Sequence, residues 1–174
     1  MAEVINLSIE EDLAIISFNN PPVNSLGLAV RKGLVEALNA AENNVNVRAI
    51  ILIGEGSTFP AGADIKEFGH PPQEPHLPAI CDKIEKTKKP VISALHGTAL
   101  GGGLEIALSS HYRIASEKTK IGLPEVHLGL LPGAGGTQRL PRLAGIVPAL
   151  KIMTSGNPIS STEALKIGII DKIA

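Results

Sequence analysis

Apolar residues follow two different spacings along the chain, and these spacings predict its secondary structure. Continuous apolar runs at residues 49–54 and 90–96 are typical of buried strands. Before the first run, apolar residues recur every three or four positions over residues 26–42, which predicts an amphipathic helix. Strands and helices alternate in this way through the middle of the chain. The pattern therefore predicts an α/β fold, in which helices cover largely parallel or mixed sheets.

Weaker patterns predict the remaining elements. Two alternating segments, residues 3–9 and 13–19, predict a hairpin, and apolar positions from residue 77 predict a helix that reaches about residue 88. The other predicted elements are a helical turn at 66–68, strands at 112–115 and 120–126, helices near 147–154 and 161–167, and a final strand at 169–174. No domain boundary is evident, and 174 residues suit a single domain with a sizeable core.

A glycine-rich segment at residues 97–105 lies where the strand at 90–96 gives way to a helix. Its three consecutive glycines, 101–103, let a ligand approach the main chain closely. The first amides of a helix have no partner within the helix, and the helix dipole adds positive charge there. Glu105 follows in the first helical turn, which gives an acid beside an anion-binding pocket of amides. A tight turn without a ligand is the other interpretation, and this segment alone leaves both open.

Two further segments carry candidate chemistry. Small residues at 61–63 follow the strand at 49–54 and again permit close approach to backbone amides, although a plain turn has the same composition. Glu125 lies within the apolar run 123–131. If its side chain is buried there, its pKa rises and the carboxyl stays protonated, as a general acid requires. An exposed loop glutamate is the alternative.

Composition and charge exclude several function classes. The net charge is −1 with lysine and arginine dispersed, and aromatic residues make up 2% of the chain, so we expect neither nucleic-acid nor membrane binding. A single cysteine, Cys81, allows no internal disulfide and fits a core residue in a reducing compartment. The first residues do not resemble a signal peptide, and no apolar run is long enough to span a membrane, so we expect the protein not to be secreted.

Common cofactor and nucleophile motifs are also missing from the sequence. Residues 133–138 lack the third glycine of a dinucleotide-binding motif, and residues 97–103 lack the Lys-Ser/Thr of a phosphate loop. The five histidines show no zinc-ligand spacing, so no metal site is expected. No Gly-x-Ser-x-Gly motif occurs, which argues against a serine hydrolase.

Four segments, taken together and in this order, resemble the enoyl-CoA hydratase/isomerase (crotonase) family. They are Ala-Gly-Ala-Asp-Ile at 61–65, Gly-Thr-Ala-Leu-Gly-Gly-Gly-Leu-Glu at 97–105, Gly-Leu-Pro-Glu-Val at 122–126 and Leu-Leu-Pro-Gly-Ala-Gly-Gly-Thr-Gln-Arg at 130–139. The third segment, with His-Tyr-Arg-Ile-Ala at 111–115, is most similar to the hydratase half of multifunctional β-oxidation enzymes, in which a 3-hydroxyacyl-CoA dehydrogenase is fused to it. The resemblance implies a crotonase-like spiral of ββα units, with mixed sheets flanked by helices.

The resemblance also implies roles for individual residues. The backbone amides of Ala63 and Gly102 would form an oxyanion hole for the thioester oxygen. Glu105 and Glu125 match the two catalytic glutamates, the first as the base on water and the second as the proton donor. Contacts to CoA or to the rest of the substrate are implied for Ala61, Asp64, Ile65, Gly101 and Gly133. No metal or redox cofactor is implied, since CoA is part of the substrate.

The activity implied is addition of water across the 2,3 double bond of a trans-2-enoyl-CoA, which gives a 3-hydroxyacyl-CoA in fatty-acid β-oxidation. The nearest alternative is 3,2-enoyl-CoA isomerase, alone or as a second activity, and the presence of both Glu105 and Glu125 favours the hydratase. Thioester hydrolysis is a further family chemistry. A non-catalytic CoA-binding or assembly module is the alternative from another class. The family also has an RNA-binding relative, but charge and aromatic content argue against that function here.

The length departs from the family pattern. Family members usually continue with a C-terminal helical segment that lines the acyl pocket and often builds trimer contacts, and 174 residues end before it. We therefore expect a truncated core, belonging to a homo-oligomer or to a multifunctional enzyme, with exposed apolar surface near residues 145–174. That surface is expected to include Ile146, Val147, Leu150, Ile152 and Met153. The implied compartment is cytoplasmic in a bacterium and peroxisomal or mitochondrial in a eukaryote.

Overall fold

The computed structural model describes residues 4–67 and 69–174, which form nine strands and six α-helices. The strands are β1 Ile5–Glu10, β2 Leu13–Phe18, β3 Ala49–Gly54, β4 Val91–Leu95, β5 Thr98–Leu100, β6 Tyr112–Ala115, β7 Lys120–Gly122, β8 Ile159–Ser160 and β9 Lys172–Ile173. The α-helices are α1 Leu28–Asn43, α2 Leu77–Lys86, α3 Gly102–Ser109, α4 Gly136–Ala144, α5 Ile146–Ser155 and α6 Ser161–Lys166. Short 3₁₀ helices cover Ile65–Glu67 and Glu125–Leu128. Glu3 and Phe68, at the ends of two predicted elements, lie outside the described residues.

Six strands form a large sheet in the order β1-β2-β3-β4-β6-β9. The predicted hairpin of β1 and β2 pairs antiparallel, and every later pair is parallel. Parallel neighbours need a crossover connection, which α1, α2 and α3 supply between β2, β3, β4 and β6. The α/β class with a mixed sheet is therefore confirmed.

A second, smaller sheet has the order β5-β7-β8. β4 and β5 precede α3, and β6 and β7 precede α4, so each pair of strands is followed by a helix. The first strand of each pair joins the large sheet and the second joins the small one. These repeated ββα units form the spiral that the resemblance implied. The apolar pattern did not predict β5, because a strand of three residues is too short to show a period.

Two predicted strands are shorter in the structure. β7 ends before Pro124, which introduces a 3₁₀ helix, and so it does not reach residue 126. β9 covers only two residues of the predicted strand at 169–174. The amide of Ile169 donates instead to the carbonyl oxygen of Ala164 at the end of α6, 2.8 Å away, and is not available to a sheet.

The hydrophobic core lies between the large sheet and the helices. α1 begins two residues after Leu26, the first position of the predicted apolar stripe, and buries the rest of that stripe, namely Val30, Leu34, Ala37, Leu38 and Ala41. The rings of Phe18 and Phe59 meet edge to face, with centroids 5.7 Å apart. Cys81 is fully buried, as predicted, and burial raises the pKa of its thiol to about 12. It therefore remains a neutral thiol at physiological pH.

One face of α5 is apolar and uncovered. Ile146, Val147 and Leu150 are 69%, 78% and 52% exposed, as predicted. The prediction was wrong for Ile152, which is 4% exposed, and Met153 is partly covered. Side chains along one helix point in different directions, and that of Ile152 lies on the side of α5 that packs into the core. No helix within residues 4–67 and 69–174 has the length and apolar character needed to cross a membrane.

Candidate active site

Two loops that are distant in sequence touch at the start of α3. One is the loop that follows β3, and the other is the glycine-rich segment 97–103. A side chain at Gly103 would overlap the carbonyl oxygen of Pro60, and one at Gly97 would overlap the carbonyl oxygen of Ser57. These two positions therefore require glycine for the loops to approach so closely.

This contact brings the backbone amides of Ala63 and Gly102 together. A Cβ atom built on Gly102 would lie 3.6 Å from the amide nitrogen of Ala63. Gly102 is the first residue of α3, where amides have no partner within the helix. Within the part of the chain that the structure describes, neither amide donates a hydrogen bond. Two free donors at the positive end of a helix dipole are suited to hold a negatively charged oxygen.

Glu105 lies in the first turn of α3 and is 2% exposed. Its Oε1 accepts hydrogen bonds from the amides of Ala134 (2.7 Å) and Gly136 (2.8 Å), in the turn before α4. Burial raises the pKa of the Glu105 carboxyl, and the two amide bonds and the positive charge of Arg139 oppose this effect. One carboxyl oxygen is thus fixed, while among the described residues none hydrogen-bonds to Oε2.

Glu125 lies on the other side of the same pocket, at the start of a 3₁₀ helix. A Cβ atom built on Gly101 would lie 3.2 Å from its Oε1, so the carboxyl packs against the glycine turn before α3. Its Oε2 is buried and has no hydrogen-bond partner among the residues described. Burial raises the pKa of Glu125, its own backbone amide opposes the rise, and the charge of Glu105 adds to it. Glu125 is therefore not a solvated loop glutamate.

One cavity of about 1160 Å³ connects these groups. The site residues singled out from the sequence all line it, namely Ala61, Ala63, Asp64, Ile65, Gly101, Gly102, Glu105, Glu125 and Gly133. Its walls include Leu26 and Leu77, whose side chains pack against Gly102. A predominantly apolar cleft with a few convergent polar groups is typical of a small-molecule site.

The sequence did not identify which amides hold Glu105. It singled out Gly133, which lines the cavity, whereas the hydrogen bonds come from Ala134 and Gly136. The glycine-rich composition of residues 133–136 was the available signal. It shows that the backbone can approach a ligand or an acid, but not which amide points at it.

Arg31 is a second group that the sequence did not identify. It is buried, and its guanidinium donates to Glu67 and to the carbonyl oxygens of Leu26, Gln73 and Pro75. These bonds attach one wall of the cavity to the start of α1. An arginine on an amphipathic helix is usually solvated, so its spacing carried no signal of this role.

The arrangement is suited to proton transfer next to a developing oxyanion. Two free amides can stabilise the negative charge, and two carboxyls with raised pKa values face the same space. Within residues 4–67 and 69–174, no three His, Cys, Asp or Glu side chains are grouped so that they could hold a metal ion.

Comparison with known proteins identifies the family. The family model for enoyl-CoA hydratase/isomerase matches residues 8–174, so the chain belongs to this family. A probable enoyl-CoA hydratase from Bacillus subtilis is 45% identical over 175 residues, which cover 95% of this chain and 67% of that protein. The peroxisomal bifunctional enzyme of Danio rerio is 48% identical over 165 residues, which cover 95% of this chain and 23% of that protein.

Solved structures share the fold. The crystal structure of an enoyl-CoA hydratase from Bacillus anthracis superposes with a TM-score of 0.92 at 37% identity, and the match covers 98% of this chain and 70% of that one. The crotonase fold implied by the sequence motifs is thereby confirmed. The chain spans less than a quarter of the bifunctional relative and about two thirds of the Bacillus subtilis relative.

Proposed function

We propose that the chain has the hydratase activity of its family, converting a trans-2-enoyl-CoA and water into a 3-hydroxyacyl-CoA in fatty-acid β-oxidation. The observation that carries the proposal is the shared cavity. Glu105 and Glu125, both with raised pKa values, line it together with the free amides of Ala63 and Gly102. Relatives named as enoyl-CoA hydratases support the same activity.

The two amides are proposed to act on the thioester oxygen. When water adds at C3, electron density moves through C2 onto this oxygen and an enolate forms. The amides of Ala63 and Gly102 lie close together at the same cavity, so they are proposed to stabilise the charge without reorganising. The loss of one such donor typically slows an enzyme by about 10²- to 10³-fold.

The two carboxyls are proposed to transfer the two protons of the reaction, one taken from water and one given to C2. Glu105, held by two amides, accepts a proton from the water whose oxygen bonds to C3. Glu125, whose pKa is raised by burial, gives its proton to C2, so the substrate gains one water in total. Glu105 ends protonated and Glu125 ionised, and proton exchange with solvent restores both. Each such transfer is typically worth about 10²- to 10⁴-fold in rate, and the two acids titrate as a coupled pair.

The proposed reaction needs neither a metal nor a redox cofactor, because only water and a proton are exchanged. CoA enters as part of the substrate. The remaining predicted site residues are proposed to contact the CoA or acyl portion, because they line the same cavity. They are Ala61, Asp64, Ile65, Gly101 and Gly133.

The position of Glu125 favours a second activity. Its carboxyl lies against the glycine turn of the oxyanion pocket, and within the described chain its Oε2 has no partner. One carboxyl placed there can carry a proton between C2 and C4 of a 3-enoyl-CoA, which is 3,2-isomerisation. This reaction does not require Glu105, so substitution of Glu105 separates the two activities.

Crotonyl-CoA provides the test of hydration. We expect the wild-type chain to remove the enoyl absorbance, and E105Q and E125Q to be slower by at least about 10²-fold. E163Q is the matched control, because Glu163 also lies in the first turn of a helix but is exposed, and its rate should equal that of the wild type.

Three outcomes would change this assignment. Hydration at the normal rate by E105Q contradicts the role of Glu105. Isomerisation of a 3-enoyl-CoA that survives in E105Q and disappears in E125Q establishes the second activity. Binding of CoA by a wild-type chain that neither hydrates nor isomerises shows a non-catalytic binding module instead.

We further propose that the chain acts as one catalytic domain of a larger assembly, either a multifunctional polypeptide or a homo-oligomer. The bifunctional relatives and the uncovered apolar face of α5 support this proposal. The name of the bifunctional relatives refers to the peroxisome. We propose the cytoplasm for a bacterial source and the peroxisome or mitochondrion for a eukaryotic one, which fluorescence of the tagged full-length protein in its source cells would test.

A further inference from the structure

A buried arginine on α4 joins two parts of the molecule. Arg139 is 9% exposed, and its Nη2 donates to Asp82 Oδ1 at 2.8 Å and to Glu85 Oε2 at 2.7 Å, both on α2. Its Nη1 donates to the carbonyl oxygen of Ala134 at 3.0 Å. One side chain therefore attaches the turn before α4 to the helix beside it.

The turn before α4 has a shape that admits this guanidinium. Gly135 has a φ of 97°, in the left-handed region that favours glycine. A side chain at Gly135 would overlap Nη1 of Arg139. The carbonyl oxygen of Gly135 also accepts a hydrogen bond from the amide of Arg139 at 2.8 Å. The conformation of the turn and the position of Arg139 therefore depend on each other.

The same turn holds Glu105. Ala134 gives its carbonyl oxygen to Arg139 and its amide to Glu105, and the amide of Gly136 supplies the second bond to the carboxylate. A shift of Ala134 would therefore move Glu105 as well. Arg139 is not one of the described residues that line the cavity, so its effect on a bound ligand passes through Glu105.

Holding the turn in this way has a cost. The Nε of Arg139 is buried and has no hydrogen-bond partner among the residues that the structure describes. Asp82 and Glu85, the ion-pair partners of Arg139, are exposed, and ion pairs with solvent-exposed partners contribute little to stability. Stability therefore does not by itself explain why a guanidinium occupies this place, whereas the geometry of the turn does.

We propose that Arg139 is a positioning residue for the proposed hydration, fixing the Ala134–Gly136 turn so that its two amides hold Glu105 against the cavity. The inference rests on the proposed function for its kinetic consequence. Its other consequence, the environment of the Glu105 carboxyl, can be measured without turnover.

The charged groups around Glu105 affect its pKa, which can be measured. The titratable groups that face it are Arg139 on α4, Cys81 on α2 and Glu125 in the 3₁₀ helix. Cys81 is neutral because its pKa is about 12, and Glu125 carries either no charge or a negative one. Arg139 is the cation that lowers the pKa of Glu105. Loss of its charge should raise that pKa.

The first test is an NMR titration of protein labelled with ¹³C-glutamate, in which the E105Q variant identifies the Glu105 signal. We expect R139Q to raise the pKa of Glu105. We expect D82N/E85Q to lower it, because Asp82 and Glu85 offset the positive charge of Arg139. Opposite shifts show that the charge of Arg139 acts on Glu105, and the positioning role is then decided by kcat.

The second test is the hydration of crotonyl-CoA. We expect R139Q to lose about 10- to 100-fold in kcat at neutral pH with a much smaller change in KM, since a misplacement of about 1 Å can cost about 10²-fold. The limb of the pH profile that reports Glu105 should move to higher pH. R139K keeps the charge but cannot reach all three acceptors, so it should keep the wild-type pKa of Glu105 and lose part of kcat. R142Q, at an exposed position of α4, is the control and should match the wild type.

Two results would overturn the proposal: a folded R139Q with wild-type kcat and Glu105 pKa, or an R139K variant with wild-type kcat. If R139Q does not fold, D82N/E85Q and R139K decide, since the first changes exposed side chains and the second retains the charge. If the wild type does not hydrate crotonyl-CoA, the proposed function fails, and the titration alone decides the role of Arg139.

Discussion

At the scale of single residues, the contacts of the two acids suggest different tasks. Glu105 accepts two backbone amides, and such bonds favour an ionised carboxylate. Glu125 has a buried oxygen that none of the described residues bonds, which favours the neutral acid. Burial raises the pKa of both carboxyls, but at Glu105 the two amides and the charge of Arg139 oppose the rise, whereas at Glu125 the charge of Glu105 adds to it. This contrast supports Glu105 as the proposed base and Glu125 as the proposed acid.

Glu125 should also reduce stability at neutral pH. Burial raises the pKa of Glu125 in the folded chain above its value in the unfolded chain. At a pH between these two pKa values, the folded state binds more protons than the unfolded state. The free energy of unfolding therefore falls as the pH rises through this range. We expect E125Q, which has no charge to bury, to have a higher Tm than the wild type at pH 7. Calorimetry from pH 3 to pH 8 would measure the difference.

The pH dependence distinguishes this cause from a general effect of the substitution. The Tm difference between E125Q and the wild type should close below about pH 4, where a glutamate is protonated even in the unfolded chain. E36Q, at an exposed position of α1, should shift the free energy of unfolding by less than about 0.5 kcal/mol. A Tm difference that stays constant across this pH range contradicts the explanation.

At the scale of the secondary-structure elements, α1 ends without a basic residue in its own last turn. Lys89, just before β4, supplies the missing cation. Its Nζ donates to the carbonyl oxygens of Ala41 at 2.8 Å and Asn44 at 2.6 Å. These carbonyls have no partner within the helix, and the helix dipole makes this end negative. One lysine thereby attaches α1 to the strand that leads into the site.

Removal of this contact should destabilise the whole domain. We expect K89A to cost about 1–2 kcal/mol, because two carbonyl oxygens lose a charged donor. For a chain of this size that corresponds to a fall in Tm of about 2–8 °C. K88A is the matched control, because Lys88 is exposed and its backbone amide, not its side chain, makes its hydrogen bond. Equal Tm values for K89A and K88A would contradict this role of Lys89.

At the scale of the whole molecule, α5 has one side exposed to solvent and one side packed in the core. Val147 and Leu150 point into solvent, whereas Ile152 packs inward. Ile146 is exposed as well, and its spacing places it on the same face of α5 as Val147 and Leu150. The three side chains therefore form one apolar patch. Such a patch is consistent with the proposal that the domain functions within a larger assembly.

Substitutions along α5 should separate its two sides. We expect L150A to change the free energy of unfolding by less than about 0.5 kcal/mol, because its side chain is already half in water. I152A should cost about 2–5 kcal/mol, because it removes a buried side chain and leaves a cavity. Denaturant unfolding of dilute protein would measure both. A large loss in L150A would show that this face is covered in solution.

Much of the candidate site was predictable because its chemistry is carried by local motifs. The glycines of 97–103 and the small residues of 61–63 indicate close approach of backbone whatever the rest of the chain does. The elements were predictable for a similar reason. β3 has its predicted bounds, and α1 is shifted by at most two residues, because each has a period that a single segment displays. The catalytic roles of the glutamates stay predictions until the variants are assayed.

Packing between distant segments decided the rest. The amides that hold Glu105 come from 29 and 31 residues further along the chain, and no local spacing records that pairing. The inward turn of Ile152 and the connection of Arg139 to α2 likewise depend on which surfaces meet. The spacing of hydrophobic residues and the positions of glycines are properties of a single segment, so they can be recognised in the sequence. The direction of a particular amide or guanidinium is set by contacts that exist once the chain has folded.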